Sequence, residues 1–232
     1  MTRKEYLENL LRDYDLVETL SEKGASSLLL LRHKRLGEDL VVRSSLRRLP
    51  IAGYLKTIVF PNLPEVYDTL LLEDGEIVLE EALRGRTLDK LLAVRTLSYR
   101  EARDILSSIA DALTVIHSAG FVHRDIKPKN IMLTDDGLVK LIDFDASRKA
   151  RDNDDTVLLG TAGFAAPEQY VGASDQRADI FALGVLLNVM LTGRHPSEML
   201  PESRHARRII EKATSMNPEQ RFASAEEFKR AL

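Results

Sequence analysis

The sequence predicts an α+β protein in two parts, a small strand-rich segment over about residues 1–80 and a larger, mainly helical one over about 86–232. Short apolar runs bounded by turn residues fill the first part, and two of them flank the pair Asp74-Gly75, a strong hairpin signal. Apolar residues at three- and four-residue spacing open the second part: Ala102, Ile105, Ile109, Ala112, Leu113 and Ile116 lie on one face of a long helix. The 232 residues are 44% apolar and 30% charged and include no cysteine, so one domain can build its core without disulfides, and thiol chemistry is excluded.

The opening residues mix charge with leucine at helical spacing and predict a short helix; they lack the apolar core and small-residue site of a secretion signal. Residues 28–32 form a compact apolar run, residues 36–39 supply a turn, and residues 40–43 resume strand character. Around residues 49–58 Pro50 and Gly53 disfavour helix, so only a short one is expected. Residues 66–72 and 76–81 are the arms of the hairpin. After Gly85 the pattern turns helical, interrupted by short strands at 131–133 and 139–142 around Asp136-Gly137. The longest mostly apolar stretch, residues 180–191, has 12 residues and contains Asn188; it is too short to cross a bilayer and reads as a buried helix. With no membrane segment in this chain, a cytoplasmic location is expected. Thirty-three Lys and Arg against 36 Asp and Glu leave a net charge of −3, which argues against binding nucleic acid through a bulk basic surface.

The chemistry is concentrated in Val122-His123-Arg124-Asp125-Ile126-Lys127-Pro128-Lys129-Asn130, followed by Leu141-Ile142-Asp143-Phe144. Phosphoryl transfer needs a carboxylate to orient and accept the hydroxyl proton, a cation beside the moving phosphoryl group, and hard oxygen ligands for Mg²⁺. Asp125 and Lys127 meet the first two needs, and Asn130 and Asp143 meet the third. A lone His-Arg-Asp triplet is usually surface charge; this string, with asparagine five residues after Asp125 and Asp-Phe thirteen after Asn130, is far more specific.

Here the chain resembles the eukaryotic-like (Hanks-type) Ser/Thr protein kinases of bacteria, over about residues 14–232. The resemblance implies a two-lobed fold in a single domain, with an N-lobe over about 1–80, a hinge over about 80–85 and a C-lobe over about 86–232. It also implies transfer of the γ-phosphate of Mg-ATP to a serine or threonine of a protein. Gly160-Thr161-Ala162 and Ala166-Pro167-Glu168 look like the segment closing the substrate site, Asp179 and Gly184 like the start of the central helix, and Arg221 like the ion-pair partner of Glu168. Lys127 marks the Ser/Thr type of loop, and Thr161 is expected to contact Asp125 and Lys127. Thr156 is the candidate autophosphorylation site, opposite Arg124.

The N-terminal part departs from the family pattern. Residues 20–28 fall where the nucleotide-covering hairpin belongs, with Leu20, Gly24 and Leu28 as expected nucleotide contacts, yet Gly24 is its one glycine. Arg43, ending Leu40-Val41-Val42-Arg43, stands where the phosphate-binding lysine belongs, and no acidic residue occurs between Leu40 and Pro64. The helix that should carry the lysine's glutamate partner is reduced, so either Arg43 acts alone or a remote carboxylate replaces that partner. Leu79, Glu80 and Ala82 are expected at the hinge, with Leu79 at the gatekeeper position, and Val41, Leu28 and Met132 are expected to sandwich the adenine. Asp145 replaces the usual glycine after Phe144. Only 27 residues separate Gly193 from Arg221, a short span for this family, and the basic residues there (Arg204, His205, Arg207, Arg208) read as a solvated helix face or, alternatively, as a docking site for an acidic partner. The rival to an active kinase is a pseudokinase serving as a nucleotide-dependent or structural binding module.

Overall fold

A computed structural model of the chain describes residues 1–149, 160–172 and 175–232. The class is α+β, as the sequence predicts, and the chain divides into two compact units, Met1–Phe60 with Pro64–Arg84, and Pro61–Leu63 with Gly85–Leu232.

The first unit runs α1 (Arg3–Leu10), β1 (Tyr14–Lys23), β2 (Ser26–His33), β3 (Asp39–Ser45), α2 (Pro50–Leu55), β4 (Val66–Leu72) and β5 (Gly75–Glu81). Its strands form one antiparallel sheet in the order β1-β2-β3-β5-β4. Thr2 and Glu5 form a capping box that starts α1, and Tyr6, Leu7 and Leu10 of this helix pack on Leu31, Leu40, Val42 and Ile77 of the sheet. Cross-strand partners share a face: Leu40 opposite Glu81 and Val42 opposite Leu79 make the α1 side, while Val41 opposite Glu80 and Arg43 opposite Val78 make the other. The β4–β5 turn is Glu73-Asp74, because Gly75 already pairs with Leu72. Glycine is required at position 75: φ is +147°, and a Cβ there would lie 2.1 Å from the Ser45 carbonyl oxygen. α2 tolerates Pro50 because proline sits at its first turn, where no N–H partner is lost.

The buried Arg3 side chain ties α1 to this turn. It donates from Nε to the Asp74 carbonyl (3.1 Å) and from Nη1 to the Ala25 carbonyl (2.8 Å) and Ser44 Oγ (3.1 Å), and it pairs with the Asp74 carboxylate at 3.3 Å. Arg3→Ala leaves these acceptors without their donor and is expected to cost about 2 kcal/mol. Urea denaturation reads it; an unchanged midpoint would rule out a stabilising role for the Arg3 bonds.

The second unit contains β6 (Gly85–Thr87), α3 (Leu88–Leu92), α4 (Tyr99–Ser118), β7 (Phe121–Val122), β8 (Ile131–Thr134), β9 (Val139–Leu141), β10 (Arg148–Lys149), α5 (Gln176–Thr192), α6 (Arg204–Ala213) and α7 (Ala225–Ala231). A Ser98–Glu101 capping box starts α4, whose periodic residues Ala102, Ile105, Ile109, Ala112, Leu113 and Ile116 are all buried. α5 holds the apolar stretch and is buried along most of its length. A Cβ on its Gly184 would come within 2.6 Å of Ala213 Cβ, so glycine lets α5 and α6 pack closely. Among the described residues no helix is long and apolar enough to cross a membrane.

Candidate active site

The loop between β7 and β8 carries Asp125, Lys127 and Asn130, and the strand end after β9 carries Asp143. Its anchor is Asp179, in the first turn of α5 and fully buried. Asp179 accepts the backbone N–H of His123 (2.9 Å, Oδ2), the backbone N–H of Arg124 (2.8 Å, Oδ1) and a bond from His117 Nε2 (2.8 Å, Oδ2). Burial pushes this carboxyl up, but the bonds from His117 and the loop backbone outweigh it and hold the group below the usual carboxylate range.

His123 is buried above this anchor. Its Nε2 faces the Ile142 carbonyl at 3.3 Å and its Nδ1 accepts the Asp125 N–H at 3.3 Å, which together define the Nε2–H tautomer. Burial, the dominant influence, pushes its pKa below the ordinary value and keeps the ring neutral. Phe144 stacks edge-on against it at 4.9 Å, so one imidazole joins the loop of Asp125 to the strand end of Asp143. Arg124 and Asp143 both adopt left-handed backbone, at φ +70° and +64°, the two non-glycine residues that do so among those described. Asp145 is exposed and outside this set, so aspartate replaces the family's glycine there without backbone strain.

Asp125 sits at the centre of a polar cluster. Lys127 Nζ donates to Asp125 Oδ2 (2.6 Å) and to Thr161 Oγ1 (2.8 Å), and Thr161 Oγ1 donates to Asp125 Oδ1 (2.7 Å). Asn130 Nδ2 donates to the Asp125 carbonyl (2.8 Å) and to its Oδ2 (3.1 Å). The Asn130 amide nitrogen is thus used inside the loop, and its oxygen Oδ1 is the atom left for a cation. Among the described residues no group of three His, Cys, Asp or Glu could cage a metal. One carboxylate and one amide oxygen do suit Mg²⁺, which is held in phosphate sites by one or two protein oxygens together with the phosphates. Glu168, after the Ala166-Pro167 step, is gripped by both terminal nitrogens of Arg221 (2.6 and 2.8 Å). Gln169 Nε2 bonds the Arg124 carbonyl at 2.9 Å, a link the sequence did not signal. Thr156 lies outside the described residues.

In the first unit Leu28, Val41 and Arg43 share one face of the sheet, with Leu28 directly opposite Arg43. Leu20 is exposed on β1, and Gly24 occupies the β1–β2 turn at φ +60° with open space around it. Met132, in the second unit, lies on β8 opposite Thr87 and Lys140. Leu79, expected at the gatekeeper position of the hinge, lies opposite Val42 and packs with the core residues under α1; Glu80, one residue on, shares the Val41–Arg43 face. Strand side chains alternate, so one residue of phase moves every one of them to the other side. Ala82 borders an open hollow with Tyr14, Asp39, Tyr67 and Arg84, a lining that includes neither Val41 nor Arg43.

The sequence did not signal what Glu80 does. Its Oε1 accepts Arg43 Nε at 2.8 Å, with the two side chains 12% and 11% exposed. A register of β3 against β5 was the signal that could have found it, since residues diagonal across two strands are within reach of long side chains.

Comparison with known proteins fits this arrangement. Residues 51–231 match the protein kinase domain family. The chain is 32% identical over 195 residues to serine/threonine-protein kinase D of Synechocystis, which covers 74% of this chain and 38% of that protein. It is 30% identical over 264 residues to serine/threonine-protein kinase PknB of Mycolicibacterium smegmatis, covering 94% of this chain and 42% of that protein. A probable serine/threonine-protein kinase PknB of Bifidobacterium longum is 35% identical over 152 residues, 59% of this chain and 22% of its own length. The chain therefore spans less than half the length of these relatives.

Proposed function

The chain belongs to the protein kinase domain family, and from that premise we propose that it transfers the γ-phosphate of ATP to a serine or threonine hydroxyl of a protein. The observation that carries this reading is the Asp125–Lys127–Thr161–Asn130 cluster, a carboxylate held by three donor side chains. In the reaction the substrate oxygen attacks the γ-phosphorus, the bond from that phosphorus to the β,γ-bridging oxygen breaks, and the hydroxyl proton passes to Asp125. Lys127 offsets charge on the moving phosphoryl group. The family uses ATP with a divalent metal; here Asn130 and Asp143 would hold Mg²⁺, which neutralises phosphate charge when bound. Leu20, Gly24, Leu28, Val41 and Met132 are the proposed contacts to the nucleotide, and Arg43 is the proposed phosphate contact. Glu80 enters through Arg43. In this reading residues 1–80 and 86–232 are the lobes of a single kinase domain.

A nucleotide-binding module would use the metal ligands but not a base, and the presence of Asp125 together with Asn130 and Asp143 supports catalysis. Misplacing a phosphate contact by about 1 Å costs roughly 100-fold in rate, which slows such an enzyme without silencing it. The test is intact-mass spectrometry of the chain, and of a generic basic protein substrate, after incubation with ATP and Mg²⁺. Added phosphate with the parent chain and none with Asp125→Asn is expected, and peptide mapping then asks whether Thr156 carries it. Nucleotide binding without transfer to either protein would favour the binding-module reading.

A further inference from the structure

We propose that Glu80 is the positioning residue for Arg43, and that the phosphate contact of this protein is assembled within the β-sheet and not by a helix. The inference rests on the kinase reading above and adds a role that neither the sequence pattern nor the family match assigns. In protein kinases the cation on the third strand is held by a glutamate on a helix, so the pair forms or breaks as the helix moves. Here the corresponding helix is α2, six residues long with no acidic side chain. Two glutamates flank Arg43 on its own face of the sheet, because Ser45 lies opposite Glu76 and Val41 opposite Glu80. Glu76 is committed elsewhere: its Oε2 accepts the Leu49 N–H at 2.6 Å, just ahead of α2. Glu80 takes Arg43, through Nε at 2.8 Å, and a bond at Nε sets the plane of the guanidinium.

Two points argue that this pair serves positioning. A buried ion pair is no more stabilising than well-packed apolar residues of similar volume, so the fold gains little from having charges there. The pair also joins strands already fixed by the β3–β5 ladder, so it exists whenever the sheet is folded. Arginine suits that geometry better than lysine, since its rigid fork can be held at one nitrogen while presenting a charged plane. Displacing α2 therefore leaves the Arg43–Glu80 pair intact, and the positioning of the phosphate contact is uncoupled from the helix movement that sets it elsewhere in the family.

The test measures affinity for ATP with Mg²⁺ and for adenosine by calorimetry on the whole chain. The parent should prefer ATP. Glu80→Gln should weaken ATP binding roughly 10–100-fold, the loss expected of one charge-assisted contact, while adenosine affinity stays unchanged; Glu80→Asp should recover part of the loss. A purely structural role would move both ligands together. Should Glu80→Gln fail to fold, R43M/E80M removes both charges and refills the space; it should bind adenosine as the parent does and lose the preference for ATP. Unchanged ATP affinity in Glu80→Gln, or a parallel fall for both ligands, overturns the inference while phosphate transfer by the parent keeps the kinase reading alive. A parent that binds neither ligand nor transfers phosphate overturns both.

Discussion

Asp179→Asn is expected to destabilise the second unit by roughly 3–5 kcal/mol and to lower phosphate transfer about 100-fold in whatever folded protein remains. The carboxylate receives two backbone N–H groups from the loop and a bond from His117, all in a site without solvent. Asparagine keeps one acceptor oxygen and turns an NH₂ group toward one of these donors, so donors are left unpaired where water cannot replace the bond. With the amide nitrogen at the Oδ1 position the unpaired group is the N–H of Arg124, whose φ of +70° must be held by its surroundings. When the loop relaxes, Asp125 moves with it. Acid stability provides an independent readout. Because the folded pKa of Asp179 is depressed, its contribution is fully present above the unfolded value of about 3.8 and is lost as pH falls through the folded value. The asparagine variant should lack that contribution at every pH, so its deficit against the parent narrows in acid. Chemical denaturation at neutral and acidic pH checks both points, and a constant deficit would sink the electrostatic account.

Arg221→Ala is the second large effect, expected at about 3–5 kcal/mol. The Arg221 side chain is fully buried, grips both oxygens of Glu168, donates to the carbonyls of Ser215 (2.8 Å) and Arg177 (2.9 Å), and lies 5.0 Å from the centre of the Phe181 ring. Truncation leaves a carboxylate only 16% exposed with no counter-ion and opens a hole against α5. Arg221→Lys should recover little, because an ammonium cannot reproduce the two parallel bonds or the second-nitrogen contacts. R221M/E168M should be closer to the parent than either single variant, since it removes both charges. Thermal melts of the parent, R221M, E168M and R221M/E168M form the cycle. Additive losses would show that the pair is not the source of the cost.

The helical unit was largely legible because its signals are local. The periodic residues of α4 and the string from Val122 to Asn130 each lie within a few turns of chain, and the anchors Asp179 and Arg221 stand in short recognisable contexts. The strand-rich unit was half legible. Turn residues located β2 to β5, but Ile77-Val78-Leu79 is apolar without alternation, so the pattern alone leaves its phase open. The turn lies at Glu73-Asp74, one residue before the Asp-Gly pair that signals it, and the two phases put either Leu79 or Glu80 beside Arg43. In the family the partner of this cation rides on a nearby helix, and the stretch between Leu40 and Pro64 holds no acidic residue. A carboxylate 37 positions away becomes the neighbour of Arg43 only through sheet pairing, which no local pattern encodes.

The left-handed backbone at Arg124 and Asp143 also bears on how such a chain can change over generations. Glycine at either position would relax the main chain by about 1 kcal/mol while removing an arginine beside the proposed base or the carboxylate proposed to hold the metal. Backbone strain alone therefore pulls both sites toward glycine, and what the two side chains do in the loop and at the strand end opposes it.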